Sequence, residues 1–202
     1  TNMIKAVVFD LDGVYFTDSS TNEFINAISL KFNIDAEEIK KIFPKSDIMY
    51  EYRKGNISGE KFWQDAIETW NLKTNNKTII LKEIFDILKK VYTINKPVKD
   101  VVMKLRKKGL LVIACSNNFK ERVDALEEKF NFLKEFDYYF LSYEHHMLKP
   151  ELFEKVFEQI NMKSKIASKN KITKEDILII DDAKRIIDAA KQMGFKTILC
   201  ED

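Results

Sequence analysis

Four short polar clusters in this 202-residue chain could do chemistry together: Asp10 with Asp12, Ser116-Asn117-Asn118, Lys149 beside Pro150, and Asp181-Asp182. Any one of them is an ordinary turn or helix-cap pattern, because Asp, Asn and Ser side chains serve both roles. Taken together they predict more. Asp10, Asp12, Asp181 and Asp182 would bring up to four carboxylates into one crevice if their loops converge. Two like charges ~4 Å apart repel by about 4 kcal/mol at an effective dielectric near 20, so such a cluster calls for a cation. Carboxylate-rich oxygen coordination beside a phosphate favours Mg²⁺. Lys149 adds a second positive charge, and Ser116 with the backbone N–H groups after it offers donors to anionic oxygens. Carboxylates, a metal, a lysine and a hydroxyl donor suit phosphoryl transfer, where positioning and charge neutralisation dominate.

The elements around these clusters predict how they meet. Ile4–Phe9 is a short, β-branched apolar run that stops at Asp10-Leu11-Asp12-Gly13, as a buried parallel strand entering a loop would. Leu110–Cys115, Ile177–Ile180 and Phe195–Cys200 read the same way, with Tyr138–Leu141 as a weaker fifth strand. Helical patterns separate them. Val98–Lys108 follows Pro97 and stops at Gly109, Phe119–Phe130 is charged and amphipathic, Pro150 opens a helix to about Ile160, and Ala183–Met193 ends at Gly194. Alternating strands and helices predict an α/β fold with a doubly wound parallel sheet. In such sheets ligands bind beyond the carboxyl ends of the strands, where all four clusters fall.

The stretch between Thr17 and Asn95 has helical periodicity and no convincing strand. Helices are expected over Thr21–Phe32, Ala36–Phe43, Asp47–Lys54, Gly59–Trp70 and Lys77–Tyr92, with capping-box signals at Ser20/Glu23 and Asp35/Glu38. A connection of roughly 80 helical residues is a subdomain rather than a loop. The expected division is a core of residues 1–16 and 96–202, with a helical domain of residues 17–95 inserted in it.

The order and spacing of the clusters resemble the haloacid dehalogenase-like superfamily. Its first motif appears as Asp10-Leu11-Asp12-Gly13-Val14, its second as Ser116, its third as Lys149 and its fourth as Asp181-Asp182, over a span from about Ile4 to Cys200. The insertion is similar to the family's helical cap in its usual place. The resemblance implies a Rossmann-like core and an Mg²⁺-dependent phosphatase acting on a small phosphorylated metabolite. It implies Asp10 as the nucleophile that becomes an aspartyl-phosphate. Asp12 is then the general acid and later the base, with its backbone carbonyl on the metal. Ser116 and the amide of Asn117 are implied as ligands of phosphoryl oxygens, and Lys149 as the residue that orients Asp10. Asp182 matches the metal-binding aspartate, and Asp181 a variable position that reaches the metal directly or through water. An aspartate at position 12 marks phosphatases and phosphomutases; dehalogenating members lack it. Ala183 and Ile186 depart from the Ser and Asn that related sequences often carry there, which removes polar support behind the metal.

The remaining residues have plainer readings. His145 and His146 are expected to pack or be solvated, since an aspartate mechanism needs no histidine. Phe62, Trp63 and Trp70 suit a buried helix face. Tyr15 to Ser19 either touch substrate or form the hinge to the insertion. Lys104, Arg106, Lys107 and Lys108 read as a solvated helix end that favours the dipole. A formal net charge of +2 gives no electrostatic reason to expect a nucleic-acid or membrane partner. Cys115 and Cys200 each end an apolar run and are expected to be reduced core thiols. With no signal-like or membrane-spanning stretch, a cytoplasmic protein is expected. Three alternatives stand beside the phosphatase: a sugar-phosphate phosphomutase using the same residues, a signalling domain phosphorylated on aspartate, and a catalytically inactive binding module. The oligomeric state is not expressed in the sequence.

Overall fold

A computed structural model of the chain describes residues 3–17, 20–70, 77–164 and 168–201. Five parallel strands form one sheet in the order β3-β2-β1-β4-β5. They are β1 (Ala6–Phe9), β2 (Leu111–Ser116), β3 (Tyr138–Leu141), β4 (Ile177–Asp181) and β5 (Lys196–Leu199). The central strand β1 is buried along its whole length and pairs Phe9 with Ala114 on one side and Ile180 on the other. That register brings the ends of β1, β2 and β4 level, so Asp10, Ser116 and Asp181 leave the sheet along one edge.

Successive side chains of a strand point to opposite faces, and two apolar clusters form accordingly. Val7, Phe9, Val112 and Ala114 face α6 (Lys96–Lys107) and α7 (Lys120–Phe130), which contribute Val102, Val123 and Leu126. Ala6, Val8, Ile113, Cys115, Ile177 and Ile179 face α9 (Glu151–Lys163) and α10 (Lys184–Gln192), which contribute Phe153, Val156, Ile186 and Ile187. A four-residue helix, α8 (Ser142–His145), follows β3. Cys115 is buried as a free thiol, and burial pushes its pKa up.

Among the described residues five helices lie between β1 and α6: α1 (Ser20–Phe32), α2 (Ala36–Lys40), α3 (Asp47–Arg53), α4 (Gly59–Thr69) and α5 (Lys77–Val91). Helix α2 stops before the expected Phe43 because Pro44 follows, and a residue before proline is pushed out of the helical region. Asp35 caps α2 by accepting the Glu37 N–H at 3.1 Å. Of the other expected capping box, the Ser20 side chain lies outside the described residues. Phe62, Trp63 and Trp70 are buried as their spacing predicts. The insertion does not have a separate core. Phe43, Tyr52 and Trp63 gather their rings around Phe119 at the start of α7, at centroid distances of 6.2, 4.9 and 6.2 Å, so one apolar cluster runs from the sheet into the helices.

The two chain crossings between sheet and insertion lie side by side. Thr17 N–H donates to Thr93 O at 3.1 Å and Asn95 N–H to Tyr15 O at 2.8 Å, with an antiparallel bridge between Phe16 and Ile94. Tyr15 and Phe16 are fully buried against Phe132 and each other, which makes them packing residues of this crossing. Asp18 and Ser19 lie outside the described residues. Among the described residues no helix is long and apolar enough to cross a membrane.

Candidate active site

The loops after β1, β2 and β4 enclose a cavity of about 520 Å³. Asp10, Asp12, Asn117, Lys149, Asp181 and Asp182 line its floor, and Lys45, Tyr50 and Arg53 from the insertion line the opposite side. Six of the seven expected site residues therefore meet in one place. Ser116 is the exception. It is buried at the end of β2, where its Oγ accepts a hydrogen bond from Asn118 Nδ2 at 3.2 Å, and it stands behind the wall that Asn117 presents.

Lys149 organises the floor. Its Nζ stands 3.0 Å from Asp10 Oδ1 and 2.6 Å from Asp181 Oδ2, and all three residues are buried. Burial works against the lysine's charge, but Asp10 and Asp181 outweigh it and hold the ammonium protonated above its ordinary range. Asp10 shows the opposite balance. Burial, followed by repulsion from Asp181, Asp12 and Asp182, raises its pKa well above the usual carboxylate value, against the pull of Lys149. Asp10 Oδ1, the oxygen nearest Lys149 Nζ, also accepts the Leu11 N–H at 2.8 Å. The backbone of Lys149 is fixed too, its N–H donating to Asn117 Oδ1 at 2.8 Å.

Asp10, Asp181 and Asp182 each offer a carboxylate oxygen, and the three lie within 4.8 Å of one another. Octahedral Mg²⁺ holds oxygens at about 2.1 Å, which sets neighbouring ligands about 3 Å and opposite ligands about 4.2 Å apart, so the three carboxylates would have to draw in around such an ion. Asp181 is held at both oxygens: Oδ2 pairs with Lys149 and Oδ1 accepts the Ala183 N–H at 2.9 Å. That backbone N–H braces Asp181 whatever side chain residue 183 carries. Asp182 is more open, and its carboxylate lies over Gly13: a Cβ at residue 13 would stand 2.1 Å from Asp182 Oδ2, and Gly13 has φ +74°. Glycine there satisfies both the left-handed backbone and the close approach.

Asp12 points away from the triangle and is held by a residue that the sequence did not single out. Arg122 on α7 grips both of its oxygens, Nη1 to Oδ2 at 2.5 Å and Nη2 to Oδ1. The guanidinium lies over the Tyr92 ring, 3.9 Å from its centroid. Arg53, also missed, has its Nε buried without a hydrogen-bond partner among the described residues. Burial, and then the nearby Arg122, lower its pKa against the pull of Asp12. A lone arginine on the apolar stripe Phe119, Arg122, Leu126 was the available signal for the first; for the second there was none. His145 stacks on Phe140 and His146 faces Asn56, and neither lines this cavity.

The arrangement offers a nucleophilic oxygen, a nearby carboxylate for proton transfer, a buried cation and a group of oxygens suited to a divalent metal. A family model for haloacid dehalogenase-like hydrolases matches residues 4–194, and the chain belongs to that family. No curated protein sequence matches it. Similar solved structures include a haloacid dehalogenase family enzyme of Bacteroides thetaiotaomicron, at 22% identity and TM-score 0.75, covering 98% of this chain and 93% of that one. A predicted hydrolase of Porphyromonas gingivalis matches at 20% identity and TM-score 0.72, covering 98% and 91%. The L-2-haloacid dehalogenase of Xanthobacter autotrophicus matches at 20% identity and TM-score 0.65, covering 96% and 76%. At these identities the likeness concerns the fold.

Proposed function

We propose that the chain is a Mg²⁺-dependent phosphohydrolase that passes the phosphoryl group of a small phosphorylated metabolite through Asp10. The observation that carries this reading is the setting of Asp10: its Oδ1 accepts the Leu11 N–H and stands 3.0 Å from Lys149 Nζ, its carboxylate groups with those of Asp181 and Asp182, and Asp12 lines the same cavity. In this reading Oδ2 attacks phosphorus, the bond to the leaving oxygen breaks, and Asp12 gives that oxygen a proton. Asp12 then takes a proton from water, which attacks the aspartyl-phosphate and restores the Asp10 carboxylate. Lys149 offsets repulsion between Asp10 and the incoming phosphate, while the amide of Asn117 steadies its oxygens and Ser116 braces the loop behind it through Asn118. Asp10, Asp182 and the Asp12 carbonyl would hold Mg²⁺, with Asp181 behind them, and the metal supplies charge neutralisation when bound.

Two further facts support the reading. The Bacteroides enzyme has been solved with magnesium and inorganic phosphate bound. Asp12 lines the cavity, and an acid is useful to a leaving alcohol but not to a leaving halide. The insertion then acts as a cap formed by residues 17–95, and Lys45, Tyr50 and Arg53 are its substrate-facing groups. A second cavity of about 490 Å³ shares Tyr50, Asn117, Lys149 and Arg185 with the first, which gives a small leaving group room. A cytoplasmic metabolite fits these sizes better than a folded phosphoprotein. A panel of phosphorylated metabolites assayed for phosphate release in Mg²⁺ tests the reading. Activity is expected on a subset, lost in EDTA and restored by Mg²⁺; full activity without metal overturns it. A phosphorylated sugar product in place of free phosphate would identify a phosphomutase.

A further inference from the structure

The reaction proposed above asks Asp12 for a proton at one moment and for a vacant lone pair at the next, always at the same oxygen of the substrate. A carboxylate in an acidic cluster is not held there by its neighbours. The acidic neighbours repel it, Lys149 is already shared between Asp10 and Asp181, and Arg53 attracts it without forming an ion pair or hydrogen bond to it among the described residues. We infer that Arg122 is the positioning residue for Asp12: its guanidinium fork, seated on the Tyr92 ring, fixes the direction in which the Asp12 carboxylate meets the leaving group. The inference rests on the phosphohydrolase reading and deepens it.

Four observations carry it. The contact is bidentate, with one nitrogen on each Asp12 oxygen, so it fixes the carboxylate's plane as well as its distance. The Arg122 side chain is 6% exposed while that of Asp12 is 31% exposed, so the arginine sits behind the aspartate and leaves its front open to the cavity. Arg122 is not among the residues that line the cavity, whereas Asp12 is, which places the guanidinium on the far side of the aspartate. The guanidinium is in turn held from behind by the face of Tyr92, which is 4% exposed, and Nη1 stands 3.5 Å from Asn118 Oδ1. A carboxylate has about four lone-pair positions and the fork uses two, so proton exchange with the substrate keeps a site on the open side. A lysine could supply the charge but not the plane.

Tyr92 adds a connection. It ends the insertion at the second crossing, immediately before Thr93 and Ile94, which pair with the first crossing. The chain of contacts Tyr92, Arg122, Asp12 therefore links the base of the cap to the proposed acid.

The test is a series of phosphate monoesters whose leaving groups run from 4-nitrophenol to simple alcohols, assayed with Mg²⁺ on wild type, Arg122→Met, Arg122→Lys and Tyr92→Leu. A misaimed acid hurts the leaving group that needs a proton. Arg122→Met is expected to lose about 10²-fold in kcat on alkyl phosphates and only a few-fold on 4-nitrophenyl phosphate. Arg122→Lys should recover part of the loss, and Tyr92→Leu should show the same pattern more weakly. Inhibition by inorganic phosphate should stay within about twofold of wild type, because the phosphoryl site is untouched. An equal loss on every ester, or an unchanged series, overturns the inference. If Arg122→Met does not fold, the lysine and Tyr92 variants decide by the same criterion. Wild-type protein that releases phosphate from no ester overturns the phosphohydrolase reading itself, a different result from a uniform loss in the variants.

Discussion

At the scale of residues, the site separates two aspartates that stand two positions apart. Asp10 is fastened through one oxygen to Lys149, and Asp12 through both to Arg122. Their replacements should differ accordingly. Asp10→Asn should abolish the acid-stable phosphoenzyme trapped from labelled substrate, since an amide is a poor nucleophile. Asp12→Asn should still form it while turnover falls ~10²–10⁴-fold, the range for a lost acid–base group. A phosphoenzyme in Asp10→Asn would reverse the roles. Lys149 is the third member of this group, and removing it leaves two buried carboxylates without their shared cation. Lys149→Met should cost about 3–5 kcal/mol in urea unfolding without metal, the usual cost of breaking a buried pair. Saturating Mg²⁺ should return part of it. The carboxylates and Asn117 were legible in the sequence because each follows an apolar strand and so falls at the sheet's carboxyl edge, and Lys149 because it stands before Pro150 at the opening of a helix, where the third motif falls. Arg122 was not. On a helix as charged as α7 an arginine reads as solvated, and its burial comes from Asp12, 110 residues away in the chain.

At the scale of elements, the alternation of strands and helices was legible because buried parallel strands are short, β-branched and bounded by turns. The relation of the insertion to the sheet was not. Periodicity marks which face of a helix is apolar but not what covers it, and the apolar faces of α3 and α4 meet Phe119 rather than only one another. Tyr52 also donates to the Glu121 carboxylate, and the Arg53 carbonyl accepts from Ser142 Oγ at 2.6 Å, which in turn takes the Asn118 N–H at 2.9 Å. Near the end of α3, a Cβ at Gly55, φ +71°, would stand 2.3 Å from the Tyr143 carbonyl oxygen. A cap tied this closely to α7 and α8 is poorly tested by deletion, which would strip Phe119 of its apolar cover. Point changes on the cavity side are cleaner. Lys45→Ala and Arg53→Ala should raise KM for the natural metabolite roughly tenfold each while leaving KM for 4-nitrophenyl phosphate within about threefold, if these cations read the part of the substrate beyond phosphorus. Equal changes on both substrates would assign them to the phosphoryl group instead.

At the scale of the whole molecule, the cluster ties folding to both pH and metal. The folded-state pKa of Asp10 is raised, chiefly by burial and then by its acidic neighbours. A raised carboxylate favours the folded state at acid pH, and that contribution is lost as pH rises through the raised value. The raised value of Lys149 acts in the same sense but far higher, since its contribution persists until the pH passes the ordinary lysine range near 10.4. Burial also raises Glu144, which is outside the cluster and adds a similar slope of its own. Asp176 is lowered, first by the Thr173 backbone N–H, so its contribution is present above the ordinary aspartate range and is lost only in stronger acid. Burial lowers His145, which adds stability as pH rises through the ordinary histidine range, so the loss owed to Asp10 over about pH 5 to pH 8 is read against a variant that lacks only Asp10. On the proposed reading Mg²⁺ would bind the ionised cluster of the folded chain and stabilise it by mass action, so its effect should grow over the same interval. Thermal melts in EDTA and in Mg²⁺ at both pH values measure this. The gain from Mg²⁺ is expected to exceed its pH 5 value at pH 8 by a few degrees, with 1 kcal/mol corresponding to about 2–4 °C in a chain of this size. Asp10→Asn isolates the cause, because it removes the buried charge and keeps Glu144. That variant should melt higher than wild type in EDTA at pH 8, match it near pH 5, and respond less to Mg²⁺. A melting difference between the two proteins that is the same at both pH values would show that Asp10 is not the group that couples metal binding to folding.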